Sequence, residues 1–398
     1  MKFTTLLLAL AVSASPLSQA APAKQPGKKS VQSKAGAKAK AGAKGARKAA
    51  ASVAVPAAVA GAALTAAEAG DAVVFSESEA VNAFADEVAL RHGFPRAELA
   101  ALIGQIRYID TAVQLVKPAP KGKPKNWQNY SRVTIEPVRI KAGLAFWNQH
   151  AAVLARAEAE YGVPAEIIVG IIGVETIYGR QTGRFRVLDV LTTLAFAYPE
   201  APNRAARMAF FRGELENALV LARKSNIAPL SMLGSFAGAI GMPQFMPGSV
   251  LAYGVDYDND GRIDLRGSAV DAIGSVASFL VQHGWQAKQT GALVYPASVS
   301  EDRAWESFLN QGLTAKFRAD DLRAGGVSTS AVLPANQRFG LIDLPNDPDP
   351  TEYRIATDNF FAITQYNRSY FYAMSVIELG RAIRQNRPGQ ALASAETL

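Results

Sequence analysis

The run PAEIIVGIIGVETIYGR, residues 164–180, constrains this chain more than any other feature. It is almost entirely apolar, yet Glu175 lies within its last two turns. Pro164 suits the first turn of a helix, and Gly179 suits the position just past its end. On a helix, Glu175 follows Ile171 and Ile172 by one turn and Ile168 by two, so the carboxylate points with the isoleucines. Burying a bare carboxylate is costly and is usually met by a raised pKa. The partial negative charge of a helix C-terminus acts in the same direction. A carboxylic acid still protonated near neutrality is what a general acid requires. The plainer alternative is a salt-bridged glutamate at a helix end.

Residues 1–20 read as a secretory signal: Lys2 is the basic start, Leu6–Val12 the apolar core, and Ser18-Gln19-Ala20 a small-x-small cleavage site. The apolar run is too short to span a bilayer, and no other stretch is long and apolar enough. The chain has no cysteine. That excludes thiol nucleophiles, disulfides and cysteine metal sites. It also excludes the lipid-modified cysteine with which bacterial lipoproteins begin. The expectation is an exported, periplasmic, soluble protein.

The net charge of +8 is not a property of the whole surface. Residues 21–50 carry nine basic residues and no acidic one. Setting these and Lys2 aside leaves 32 basic against 34 acidic residues. Residues 21–75, rich in Ala, Lys and Gly, bury too little apolar surface to offset their ordering entropy and are expected to be disordered. Export argues against nucleic acid as the partner of this arm. Electrostatic contact with an anionic wall or membrane surface is one reading, and a plain tether is the other.

Helical periodicity runs from Glu77 to Val116, then over Lys141–Tyr161, Pro164–Tyr178, Ala205–Lys224, Ala269–His283 and Phe360–Arg384. Residues 288–352 are polar and irregular with short alternating runs, which suggests a small β domain. The division is a helical domain at 76–140, a core at 141–287, the β domain at 288–352 and a C-terminal segment at 353–398. The fold class is mainly α, of the α+β kind.

Asp256-Tyr257-Asp258-Asn259-Asp260-Gly261-Arg262-Ile263-Asp264 matches the start of an EF-hand loop. Carboxylates fall at loop positions 1, 3, 5 and 9, a glycine at 6 permits the sharp turn, and Ile263 at 8 is the apolar anchor. Hard oxygen ligands at this spacing favour Ca²⁺. Position 12, normally a bidentate glutamate, is Gly267, and the next carboxylate is Asp271. The alternative is an acidic turn without metal.

GSFAGAIGMPQFMPGS, residues 234–249, combines four glycines with Gln244, an amide suited to sugar hydroxyls or acetamido groups. ITQYNRSYFY, residues 363–372, clusters three tyrosines with Asn367 and Arg368. Aromatic faces stack on sugar rings and amides fix their orientation. Each segment also reads as ordinary packing, a glycine-rich corner and an amphipathic helix respectively.

In order along residues 77–386, GIIGVETIYGR, GSFAGAIGMPQFMPGS, VDYDNDGRIDL, DAIGSVASFLVQHGW and ITQYNRSYFYAMSV resemble the membrane-bound lytic murein transglycosylase B family. The resemblance implies a lysozyme-like helical core holding an EF-hand, an adjoining helical domain and a small β domain. It implies cleavage of the MurNAc–GlcNAc β-1,4 bond of peptidoglycan without water, giving a 1,6-anhydromuramoyl end. Glu175 matches the family's single acid/base. Tyr130, Ser235, Gln244, Tyr366, Asn367 and Tyr372 match positions of the glycan groove. Asp256, Asp258, Asp260 and Asp271 match positions of a structural calcium site, with Arg262 offering its backbone carbonyl. This chain departs by Phe279 in place of a groove tyrosine and by one extra residue before Asp271.

An ordinary glycosidase needs two carboxylates flanking the scissile bond. Here the loop aspartates belong to calcium, and Glu214 and Glu216 read as surface residues. One acid suffices if the nucleophile is the substrate's own C6 hydroxyl, since intramolecular attack gains effective molarity. The alternatives are a hydrolase resembling goose-type lysozyme and a non-catalytic, calcium-stabilised wall-binding protein.

Overall fold

The computed structural model of the chain describes residues 74–117 and 124–387. The signal at 1–20 and all but the last two residues of the arm at 21–75 lie outside the described residues.

The N-terminal helices are α1 (Glu79–His92), α2 (Arg96–Ile103), α3 (Asp110–Leu115) and α4 (Trp127–Thr134). The central bundle comprises α5 (Pro137–Gln149), α6 (Ala151–Tyr161), α7 (Ala165–Thr176), α8 (Val187–Phe196), α9 (Arg204–Lys224), α10 (Pro247–Tyr253) and α11 (Ala269–Gln282). Within it, β1 (Phe185–Arg186) and β2 (Leu233–Gly234) form a short antiparallel ladder. Next comes an antiparallel sheet of β3 (Val294–Val299), β4 (Val327–Ser328), β5 (Phe339–Asn346) and β6 (Asp349–Thr357), in the spatial order β4-β3-β6-β5. Short α12 (Ala319–Ala324) precedes β4, and α13 (Asp358–Thr364) and α14 (Tyr370–Gln385) close the fold. The sheet region has its own small core around Trp305, Phe339 and Ile355. The molecule is mainly α with small sheets, as the periodicity indicates.

α7 is the hub. Every residue from Ile167 to Thr176 is buried. α14 lies directly on it because glycine lets the backbones touch: a Cβ on Gly170 would fall 2.3 Å from the Val376 carbonyl oxygen, and one on Gly380 would fall 2.2 Å from that of Glu166. This approach sets the first turn of α14 against the last turn of α7. β5 is joined to α4, where the Asn346 side chain accepts the Gln128 N–H at 2.9 Å.

Three helical runs differ from the periodicity. The pattern over Lys141–Tyr161 is two helices that meet at His150 (φ −113°, ψ 22°), although no glycine or proline marks the break. The pattern over Phe360–Arg384 is also two helices. Ser369 starts the second by accepting the Tyr372 N–H. α7 stops at Thr176, before Tyr178, because Ile177, Tyr178 and Gly179 all take left-handed conformations (φ 50°, 57° and 84°).

A candidate active site around Glu175

Glu175 is the second-last residue of α7 and only 2% exposed. Burial pushes its carboxyl up to about 8, while the Tyr372 hydrogen bond and the charge of Arg139 pull the other way. The turn that follows is strained, since a β-branched residue is rarely found at φ 50°. Thr176 holds that turn: its hydroxyl donates to the Met242 carbonyl at 2.8 Å and accepts the Gly179 N–H at 3.1 Å.

The tyrosines converge on this carboxyl. Tyr372 donates to Glu175 Oε1 at 2.7 Å. Tyr366 stacks parallel to Tyr372 with ring centroids 6.1 Å apart and donates to the Pro243 carbonyl at 2.5 Å. Tyr130 is buried against Trp127 and Phe371. Burial raises the pKa of all three phenols and the Glu175 charge raises them further, so they stay neutral donors. Phe279, placed where the family resemblance suggests a tyrosine, is buried against Tyr366 and His283.

The glycine-rich segment is tied to this cluster through the Met242 and Pro243 carbonyls. Gln244 takes φ 52°, and its amide nitrogen donates to the Gly241 carbonyl at 2.9 Å. The Ser235 hydroxyl accepts the Ala239 N–H at 3.1 Å. Asn367 sits half-buried in the turn between α13 and α14, beside Tyr366.

The reading of Glu214 as a surface residue is corrected. It is 4% exposed, and its Oε2 accepts the Gly248 N–H at 2.7 Å. Burial raises its pKa, and it braces α9 against α10. Glu216 is engaged with Arg91 and His92, at 2.5 and 2.6 Å. Both carboxylates are thus committed elsewhere. Arg139, which sequence reasoning passed over, is buried beside the last turn of α7.

In the acidic loop, Asp256, Asp258 and Asp260 bring carboxylate oxygens within 4.8 Å of one another. Gly261 takes φ 93° at the sharp turn, and its N–H bonds to Asp256. This all-oxygen donor set fits a hard divalent cation. Arg262 places its guanidinium 3.2 Å from Asp260 Oδ2. Asp271 stands behind the trio, 1% exposed, with its oxygens accepting the N–H groups of Tyr257 and Asp264 at 2.8 Å each. It ties together the two flanks of the loop. The loop also reaches the glycine-rich segment, where the Leu265 carbonyl accepts the Met242 N–H at 2.7 Å.

A helical core that rings a buried carboxyl with phenols offers a general acid, and comparison with known proteins gives the class: a glycan-cleaving enzyme. The family model described as "Transglycosylase SLT domain" matches residues 76–381. The chain belongs to that family and is a lytic murein transglycosylase. It is 38% identical over 318 residues to membrane-bound lytic murein transglycosylase B of Escherichia coli K12, covering 78% of this chain and 84% of that protein. The lytic transglycosylase SltB1 of Pseudomonas aeruginosa superposes with TM-score 0.71 at 42% identity, over 78% of this chain and 99% of the other. The Escherichia coli lytic transglycosylase SLT35, in complex with calcium, superposes with TM-score 0.70 at 38% identity, over 80% and 96% respectively.

Proposed function

We propose that this enzyme cleaves the MurNAc–GlcNAc β-1,4 bond of peptidoglycan without water and leaves a 1,6-anhydromuramoyl end, with Glu175 as its one acid and base. The observation that carries this reading is a carboxyl buried at the end of α7, where burial raises its pKa, with Tyr372 fixing one of its oxygens. The Glu175 proton passes to the glycosidic oxygen as the bond from C1 breaks. The substrate's N-acetyl group steadies the positive charge at C1. The C6 hydroxyl oxygen then bonds to C1, and its proton returns to the Glu175 carboxylate. The acid is restored and no water is consumed. Tyr130, Ser235, Gln244, Tyr366, Asn367 and Tyr372 are assigned to the glycan groove.

Calcium is assigned a structural role, held by Asp256, Asp258 and Asp260, with Asp271 closing the loop and the Arg262 carbonyl as a further ligand. The convergence of the three carboxylates supports this, as does calcium in the SLT35 relative. When bound, the ion supplies positive charge that cancels the repulsion within the loop. The enzyme is assigned to the periplasm as an exported protein, with its basic arm at 21–75 meeting anionic wall or membrane surface. Among the described residues, no helix is long and apolar enough to cross a membrane. Of the four parts, the β domain is assigned its own core and extends past residue 352 to Thr357, because β6 runs Asp349–Thr357 and Ile355 belongs to that core.

Mass spectrometry of digested peptidoglycan tests the reaction. Anhydromuramoyl ends are expected, and they should disappear with Glu175→Gln. Reducing ends would instead make the enzyme a hydrolase.

A further inference from the structure

We propose that Arg139 is a positioning residue that sustains the ionised form of Glu175 between its two proton transfers. The inference rests on Glu175 being the acid and base.

Arg139 lies in the first turn of α5 and is 6% exposed. Its Nη1 donates to the Gly173 carbonyl at 2.8 Å and reaches the Val174 carbonyl at 3.4 Å. These are the two residues immediately before Glu175. The helix ends at this point: the Tyr178 N–H bonds to the Ile172 carbonyl, not to that of Val174. The guanidinium therefore caps the negative end of α7.

Capping two carbonyls does not require a full charge, because a neutral amide would serve. Keeping an arginine dry is costly, and here Nε is buried without a hydrogen bond. The Glu136 carboxylate, 3.4 Å away and partly exposed, offsets only some of that cost. The charge itself has a use one residue further on. Once Glu175 has given up its proton, the enclosed site holds a carboxylate at the negative end of a helix dipole. The groups facing it are Tyr130 from α4, Arg139 from α5, Tyr366 from the turn before α14, and Tyr372 from α14, while Glu136 and, from the turn after α7, Tyr178 face Arg139 in turn. Among these, the phenols stay neutral and Arg139 is the one cation. Burial makes Glu175 an acid, and Arg139 limits how strong a base its conjugate becomes.

The test is the Glu175 titration itself, followed by carbon-13 carboxyl NMR of the mature protein and assigned with Glu175→Gln, alongside the pH profile of muropeptide release. An opposite charge nearby typically shifts a carboxyl by ~1–3 units. Arg139→Met should therefore raise both the midpoint and the alkaline limb by about one unit or more. Arg139→Lys, which keeps the charge, should restore them towards wild type. Glu136→Gln, at a partly exposed position, should move both downward by unmasking the arginine. An unchanged midpoint in Arg139→Met would reduce Arg139 to a structural cap, whatever its melting temperature. If that variant fails to fold, an unchanged midpoint in Glu136→Gln overturns the proposal in the same way. Should the midpoint move while Glu175→Gln stays active, the hold of Arg139 on Glu175 stands and the assignment of Glu175 as acid falls. A fixed midpoint with inactive Glu175→Gln overturns the role of Arg139 alone.

Discussion

Tyr372 donates a 2.7 Å hydrogen bond to Oε1 of Glu175 across 197 residues of chain. Both side chains are 2% exposed, and the ionisation of the phenol is pushed far above its ordinary range. Tyr372 therefore cannot take the Glu175 proton. It steadies Oε1; in the proposed mechanism Oε2 would carry the proton towards the sugar.

Replacing Glu175 by Gln keeps the shape of the side chain and removes its proton. Muropeptide release should fall by ~10²–10⁴-fold, the usual contribution of a general acid, with the circular dichroism unchanged. Release close to the wild-type rate would remove Glu175 from the chemistry.

The same variant should be more stable than the parent, by an amount that depends on pH. Above its ordinary value of 4.5 the unfolded carboxyl has lost its proton, whereas the folded one keeps it up to about 8. Folding then takes up a proton, so raising the pH through that window works against the folded state. The advantage of Glu175→Gln should grow between those limits by up to ~1.4 kcal/mol per pH unit. Denaturant melts at pH 5 and pH 8 measure it, and an equal difference at both would contradict the raised pKa.

Tyr372→Phe deletes the hydroxyl alone. Stability should drop by ~0.5–3 kcal/mol, the range for a buried hydrogen bond to an ionisable group. The alkaline limb of activity should move upward, because the bond favours the carboxylate. A limb that stays in place would mean that the hydroxyl serves packing only.

Gly170→Ala places a methyl carbon against the backbone of α14, which cannot swing aside like a side chain. A loss of ~1–3 kcal/mol is expected from overpacking. Activity should fall as well, since α14 carries Tyr372. Wild-type melting and activity would show that the two helices part without consequence.

Calcium should raise the melting temperature by mass action, equivalent to ~2.7 kcal/mol at a hundredfold excess over the dissociation constant. Asp256→Ala combined with Asp260→Ala should abolish the gain. Scanning calorimetry with calcium and with chelator decides it, and identical traces in the parent protein would dismiss the site.

Glu175 was legible because a carboxylate among isoleucines at helical spacing has few explanations. The clustering of the acidic loop was legible because its carboxylates alternate over a short run of sequence. Arg139 carried an equal signal. It opens a buried stripe with Ala142, Gly143, Phe146 and Trp147, spaced for one helix face, and is as anomalous there as Glu175 is in α7. Glu214 was misread for a different reason: the N–H it accepts belongs to Gly248, 34 residues away, and helix-face reasoning looks only at neighbours. The break at His150 has no local marker, so the apolar spacing runs straight through it. For Asp271, spacing located a carboxylate near the loop, and only the folded backbone reveals that its oxygens meet the N–H groups of Tyr257 and Asp264.

The contact of α14 with α7 also orders events in time. Ribosomes deliver the chain from its first residue onward, so Glu175 is made long before Tyr372. A nascent chain halted at residue 369 has its acid and its acidic loop but lacks α14, the cover that buries the acid. The enclosed site comes into being only with the last described helix. For an enzyme whose substrate is the cell's own wall, an unfinished copy is an incomplete tool.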